Sequence, residues 1–161
     1  MKLLIPIFMF FSFLSNPDIA EIRKIYTNAA KSEASAKEFT AKIAGVADDS
    51  DKTLWAYKGA SLTLIAKFAN NIPDKISNLK EGAKMIDGAA ASEPNNIEIR
   101  LIRFSVQENV PKIVNYRQNK KEDKAFILAH YKEQNGALKE YVKNFILLSK
   151  SFTAAEKQTV K

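Results

Sequence analysis

Asn95-Asn96-Ile97-Glu98-Ile99-Arg100-Leu101-Ile102-Arg103-Phe104-Ser105-Val106-Gln107-Glu108-Asn109 is the stretch whose reading decides the fold. Wound at about 100° per residue, its apolar side chains divide into two groups on opposite sides, Ile97, Leu101 and Phe104 against Ile99, Ile102 and Val106. A helix apolar on two flanks needs a neighbour on each. The stretch therefore predicts a central helix in an array of paired helices, not a surface helix with one buried stripe. Between the flanks, Arg100, Arg103 and Gln107 form one narrow polar edge, and Glu98 and Ser105 mark the other. Ile97, Ile99 and Leu101 also alternate as a strand would, but the alternation breaks at Leu101-Ile102. Asn95 followed by Glu98 has the spacing of an N-terminal capping box with Asn in place of Ser or Thr, and Pro111 stops the element after Asn109.

Working outward, helical spacing recurs on both sides. Asn16-Pro17-Asp18 reads as a helix start, followed by Ile19, Ile22, Tyr26, Ala29 and Ala30 on one face. A second helix is expected from Ser32 to Val46, anchored by Phe39 and Ile43, either separate from the first or continuous with it. Asp48-Asp49-Ser50-Asp51 lacks the glycine and distant glutamate of a calcium loop and reads as a capped start for a third helix, Lys52 to Asn70. There Leu54, Trp55, Ala56, Gly59, Leu62, Ile65, Ala66 and Ala69 form the expected contact face. A fourth helix, from Pro73 or Asp74 to Ser92, should pack through Ile76, Leu79, Ala83, Ile86 and Ala90, with Gly82 allowing close approach.

Beyond Pro111, a turn is expected to hold Ile113, Val114 and Tyr116 against the core. A sixth helix opens at Glu122-Asp123, and a seventh, Ala137 to Lys150, shows Leu138, Tyr141, Val142, Phe145 and Leu148 as its stripe. Thr153-x2-Glu156 is a small capping box ahead of a frayed tail, residues 153 to 161. The fold expected is all-α: an array of antiparallel helical hairpins, six to seven helices in a single domain over residues 21 to 152.

Residues 1 to 20 stand apart. Met1-Lys2 precedes an apolar run, Leu3 to Leu14, the size of a signal-peptide core and shorter than the roughly 20 residues that span a bilayer. Export to the periplasm or the exterior is expected, with cleavage after Ser15 or Ala20 and an N-terminal membrane anchor as the alternative. No transmembrane helix is expected in the mature chain. The 161 residues contain no cysteine, which removes disulfides, thiolate metal sites and thiol nucleophiles together.

Net charge is +7, from 25 basic and 18 acidic residues; four of the basic residues are arginine and the other 21 lysine. That bias suits diffuse attraction to anions better than bidentate phosphate recognition. The densest basic run, Lys120-Lys121-Glu122-Asp123-Lys124, has two acids inside it, and no aromatic-basic stacking pattern appears, so nucleic acid is not an expected partner.

Little in the chain promises chemistry. His130 is the one histidine, set among Phe126, Ile127 and Tyr131, and reads as structural. The adjacent carboxylates Glu122-Asp123 and Asp48-Asp49 point different ways and do not converge as acid-base catalysis requires. No phosphate loop, dinucleotide fingerprint or nucleophile elbow is present, and no metal or cofactor is expected. The one polar constellation that could bind something is Arg100, Arg103 and Gln107, at i, i+3 and i+7. Two readings are open for it: register-fixing pairs with acids of adjacent helices, or a groove for an anion or peptide carboxylate.

Two resemblances add to this. Trp55-x2-Lys58-Gly59-x2-Leu62 resembles the first half of a tetratricopeptide repeat, and Gly82-x3-Ile86-x2-Ala89-x4-Pro94 resembles the second. The spacing from Gly59 to Gly82 exceeds that repeat's by about three helical turns, and Lys58 stands where the repeat is apolar. Second, Pro94 to Arg103 with Gln107-x-Asn109-x-Pro111 and Glu122-Asp123-Lys124, behind a signal-like start, is similar to small exported helical proteins of bacteria with no established activity. The resemblances imply helix and export and no mechanism. The expected function is an exported, non-catalytic scaffold that binds a protein or peptide partner through a helical groove. The alternatives are a cationic module on anionic envelope surfaces and, behind both, a carboxylate-based enzyme in a helical cleft.

Overall fold

The computed structural model describes residues 17–161, and among them every regular element is helical. Eight α-helices follow in order: α1 Ile19–Ala29, α2 Glu33–Ile43, α3 Lys52–Phe68, α4 Ile72–Ser92, α5 Ile97–Asn109, α6 Lys120–His130, α7 Gly136–Leu148 and α8 Ala154–Gln158. Local chemistry sets most of the starts. Asp18, Ser32, Asp51, Asn71, Asn96 and Thr153 each sit at an N-cap and accept a backbone N–H of the first turn. The expected capping box at Thr153 and Glu156 is present.

The helices pair as α1 with α2, α3 with α4, and α5 with α6, and α3 also touches α1 and α5, as α5 touches α7. Helix α5 divides the interior in two. Ile99, Ile102 and Val106 enter a core shared with α1 to α4, around Ile22, Phe39, Ile43, Tyr57 and Ile86. Ile97, Leu101 and Phe104 enter a second core with Ile127, Tyr131, Val142, Ile146, Phe152 and Val160. These are the two flanks read from the sequence. A ring cluster marks each core: Tyr26, Phe39 and Tyr57 with centroids 5.2 to 6.2 Å apart, and Phe104, Phe145 and Phe152 at 5.4 to 6.4 Å. Each such side chain taken out of water stabilises the fold by about 1.5–3 kcal/mol.

Helices α3 and α4 meet backbone to backbone. A methyl built on Gly82 would lie 2.4 Å from the Gly59 carbonyl oxygen, and one on Gly59 would lie 2.7 Å from that of Gly82. The small-residue contact expected at this crossing is therefore real, and the extra residues between the two glycines lengthen the hairpin beyond it. Gly88, also inside α4, has nothing within 4 Å of such a methyl. Gly88→Ala should consequently stabilise the protein by about 0.5–1 kcal/mol, the helix-propensity difference, read as a raised urea midpoint with unchanged slope.

Several expectations need correction. Helix α1 starts at Ile19, after Asp18, and Asn16 lies outside the described residues, as does most of the proposed signal segment. Helix α2 is distinct from α1. Helix α5 is capped by Asn96 and not Asn95: the Asn96 Oδ1 accepts the Glu98 and Ile99 amides, and the Glu98 side chain pairs with Arg23 instead of closing a capping box. In α3, Leu54, Ala56, Gly59 and Ala66 of the expected face are buried, but Trp55, Leu62, Ile65 and Ala69 are only half-buried, and Tyr57, Ala60 and Leu64 are buried in addition. Ile76 is exposed, since α4 runs on past the end of α5 and nothing covers its first turns. Ile113 is 93% exposed and Val114 partly so, leaving Tyr116 alone to pack inward from that turn, and Leu148 ends α7 in solvent while Ile146 is buried. Helix α6 begins at Lys120. In place of a frayed tail, Phe152 and Val160 close the second core, and the Tyr131 hydroxyl donates to the Val160 carbonyl at 3.3 Å.

Candidate functional site

Both polar edges of α5 lie between packed helices, where an ionised side chain needs a partner. On one edge, Glu98 is buried and accepts two hydrogen bonds from Arg23 of α1, Nε to Oε1 at 2.7 Å and Nη2 to Oε2 at 2.6 Å. The Tyr57 hydroxyl donates to the same Oε1 at 2.8 Å. About two turns along, Tyr26 and Ser105 hydroxyls meet at 2.6 Å, and Ser105 donates to the Ile102 carbonyl. Sequence reading placed Glu98 and Ser105 together, but Arg23 and Tyr57 come from helices whose register it could not supply.

Burial pushes the hydroxyls around this cluster up: Tyr26 to about 12, against the opposing pull of Ser105, and Tyr57 and Tyr141 well above their ordinary value. Tyr116, on the other edge, is raised too, by burial and then by the nearby Asp87 carboxylate. The sign follows from the neutral form being the one that the fold favours. Stability from these groups is intact below the unfolded tyrosine value of roughly 10 and is lost as pH rises from there toward 12 and beyond. Unfolding above roughly pH 10 should therefore release tyrosinate absorbance in step with loss of helical circular dichroism. Absorbance that rises well before the helical signal falls would contradict the burial assigned here.

On the second edge, the structure brings Arg100, Arg103 and Gln107 together as their spacing requires, and it supplies the arginines with partners. Arg103 holds Asp123 of α6 in a bidentate pair, both contacts 2.7 Å, and lies 3.6 Å from Asp87 of α4. Arg100 reaches Glu122 at 2.6 Å and Asp123 at 3.0 Å, donates to the Pro94 carbonyl, and covers the Phe126 ring. Gln107 is buried and faces Asn119 at 3.4 Å, its Oε1 without a hydrogen-bond partner. The Tyr116 hydroxyl donates to Asp87 at 3.0 Å, and burial pushes the Asp87 carboxyl up against that pull. This geometry fits the register-fixing reading: both guanidiniums are committed to carboxylates of adjacent helices.

Further positive charge gathers along α6. Asp123 is buried against α5 and the exposed Glu122 reaches Arg100, while the lysines around them lie beside an open depression. Lys120, Lys121 and Lys124 line an open depression of about 360 Å³ with Arg117 and Ser151. Lys124 is tied to Glu156 at 2.7 Å, and Lys120 and Lys124 lie over the Phe104 and Phe152 rings. Arg117 donates one Nη2 bond to the Val110 carbonyl, while its Nε is buried without a partner. A second depression, of about 270 Å³, lies between α2 and the α3–α4 turn and is lined by Ile65, Phe68, Asn70, Asn71, Asp74 and Asn78 among others.

His130 is half-exposed, stacked on Phe126 at 4.1 Å and bonded to Glu133 at 2.8 Å, an exposed helix-end arrangement. Among the described residues, no three His, Asp or Glu side chains are grouped to hold a metal ion, and no helix is long and apolar enough to cross a membrane. The class defined by these features is an all-α array of helical hairpins with open basic and polar depressions. Comparison with known protein families, with curated proteins and with solved structures finds no match to this chain.

Proposed function

We propose that the chain is an exported, non-catalytic interaction protein that binds a protein or peptide partner on the surface of a helical-hairpin array built in the style of tetratricopeptide proteins. One observation carries this reading: the buried carboxylates Glu98 and Asp123 are each committed to an arginine inside the array, so the chemically capable groups hold helices together and the outer surface is left for recognition. Arrays of this kind bind by shape and surface charge, with few reactive residues. The signal-like run at residues 3 to 14 supports export.

Pull-down from an envelope extract with the immobilised full chain, washed at low and then moderate salt, tests the proposal. A partner protein retained in stoichiometric amount at moderate salt supports it. If everything retained at low salt is anionic polymer or lipid and all of it leaves as salt rises, the protein is instead a diffuse cationic coat.

A further inference from the structure

The basic depression beside α6 is shallow and open; it gathers four cations from the turn before α6 and from α6 itself, and the two acids interleaved with them in sequence are bonded to arginines of α5. Lys124 is neutralised by Glu156, and Glu108 accepts from Ser149 Oγ at 2.7 Å and from the amide of Ser151, a lining residue, at 3.2 Å. Among the described residues, Lys120 and Lys121 carry no carboxylate partner within 4.0 Å, and both stand on the first turn of α6, where the helix dipole adds positive potential.

We propose that this depression binds the carboxylates of an acidic peptide segment on the partner protein, with Lys120 and Lys121 as its principal contacts and Ser151 and Arg117 beside them. The assignment rests on the interaction-protein reading above and names where and by what chemistry the partner is held. Three lysines to one arginine favour carboxylates met as point charges over a bidentate phosphate clamp. The rings beneath the lysines, Phe104 and Phe152, are occupied by those lysines and packed in the second core, so they offer no stacking platform to nucleic-acid bases.

The test uses the full chain and a fluorescein-labelled oligoglutamate peptide, read by anisotropy at about 50 mM and about 200 mM salt. Lys120→Gln/Lys121→Gln should weaken binding about tenfold, while Lys75→Gln/Lys80→Gln, an equal loss of charge from exposed positions on α4, should leave it within about twofold. Equal weakening by the two pairs would overturn the site in favour of net charge, as would failure of wild type to bind the peptide at the lower salt. Inorganic phosphate competing at equal carboxylate-equivalent concentration, or vesicles containing phosphatidylglycerol binding in the peptide's place with the same lysine dependence, would overturn the peptide assignment. A partner captured from extract equally by wild type and by Lys120→Gln/Lys121→Gln would sink this site and leave the interaction reading standing.

Discussion

Gly82→Ala should destabilise the protein by about 2–3 kcal/mol, although alanine is the better helix former by about 1 kcal/mol. The added methyl would sit 2.4 Å from the Gly59 carbonyl oxygen, 2.9 Å from Thr63 Cγ2 and 3.2 Å from Leu62 Cβ. A backbone carbonyl cannot rotate away as a flexible side-chain end can, so α3 and α4 must separate along their length. The hairpin is the most extensively packed pair in the array, and separating it opens the first core around Tyr57 and Ile86. Gly59→Ala meets the same obstacle from the other side, 2.7 Å from the Gly82 carbonyl. Once one methyl has forced the helices apart, the second enters space already opened, and the double variant should cost less than the sum of the two. Urea denaturation of the three variants beside Gly88→Ala checks this. A neutral Gly82→Ala would mean that the helices do not touch here.

Asp123→Ala should cost about 3–5 kcal/mol, and Glu122→Ala, its neighbour on the same arginine, no more than about 1 kcal/mol. Asp123 is 0% exposed and accepts from both Arg103 and Arg100, whereas the Glu122 side chain is 64% exposed and its pair with Arg100 is screened by water. Removing Asp123 leaves the buried Arg103 guanidinium with only Asp87 at 3.6 Å. Thermal melts of the two single variants give the comparison. Replacing the pair together, Arg103→Met with Asp123→Leu, should recover most of the loss, because apolar side chains of similar size need no desolvation of charge. Arg100→Gln/Arg103→Gln separates the two readings of this edge. Destabilisation with the surface peptide still bound marks the arginines as structural, and loss of ligand with an unchanged melt would make them a binding site.

Sequence alone is informative where the physics is local to one helix. The flanks of α5 follow from residue spacing alone, and the contact at Gly59 and Gly82 follows from the absence of side chains along otherwise bulky faces. It is not informative where the outcome depends on how far a neighbouring helix extends. Ile76 continues the apolar stripe of α4, yet α5 ends short of it, so a residue with the right periodicity lies in water. Leu148 fails in the same way at the end of α7, and Val160 fails oppositely, since a short tail helix folds back over the second core.

The edges of α5 show the same limit in polar form. Arg100, Arg103 and Gln107 could be placed on one line by counting, but their partners Asp87, Glu122 and Asp123 come from other helices. In the run Lys120 to Lys124, acids and lysines interleave in sequence, and it is the arginines of α5 that bind Glu122 and Asp123 and leave Lys120, Lys121 and Lys124 beside the depression. Counting along α6 alone does not reveal this, because the partners stand on another helix.

The claim beneath all of this is that α5 is gripped from both sides and belongs to two cores at once. Amide hydrogen exchange along the chain tests it most directly. The account predicts that Leu101 to Val106 are the slowest amides in the protein and exchange only with global unfolding, slower than those of α1 and α7. Exchange of those amides as fast as the outer helices, or loss of protection on one flank while the other stays folded, would contradict it.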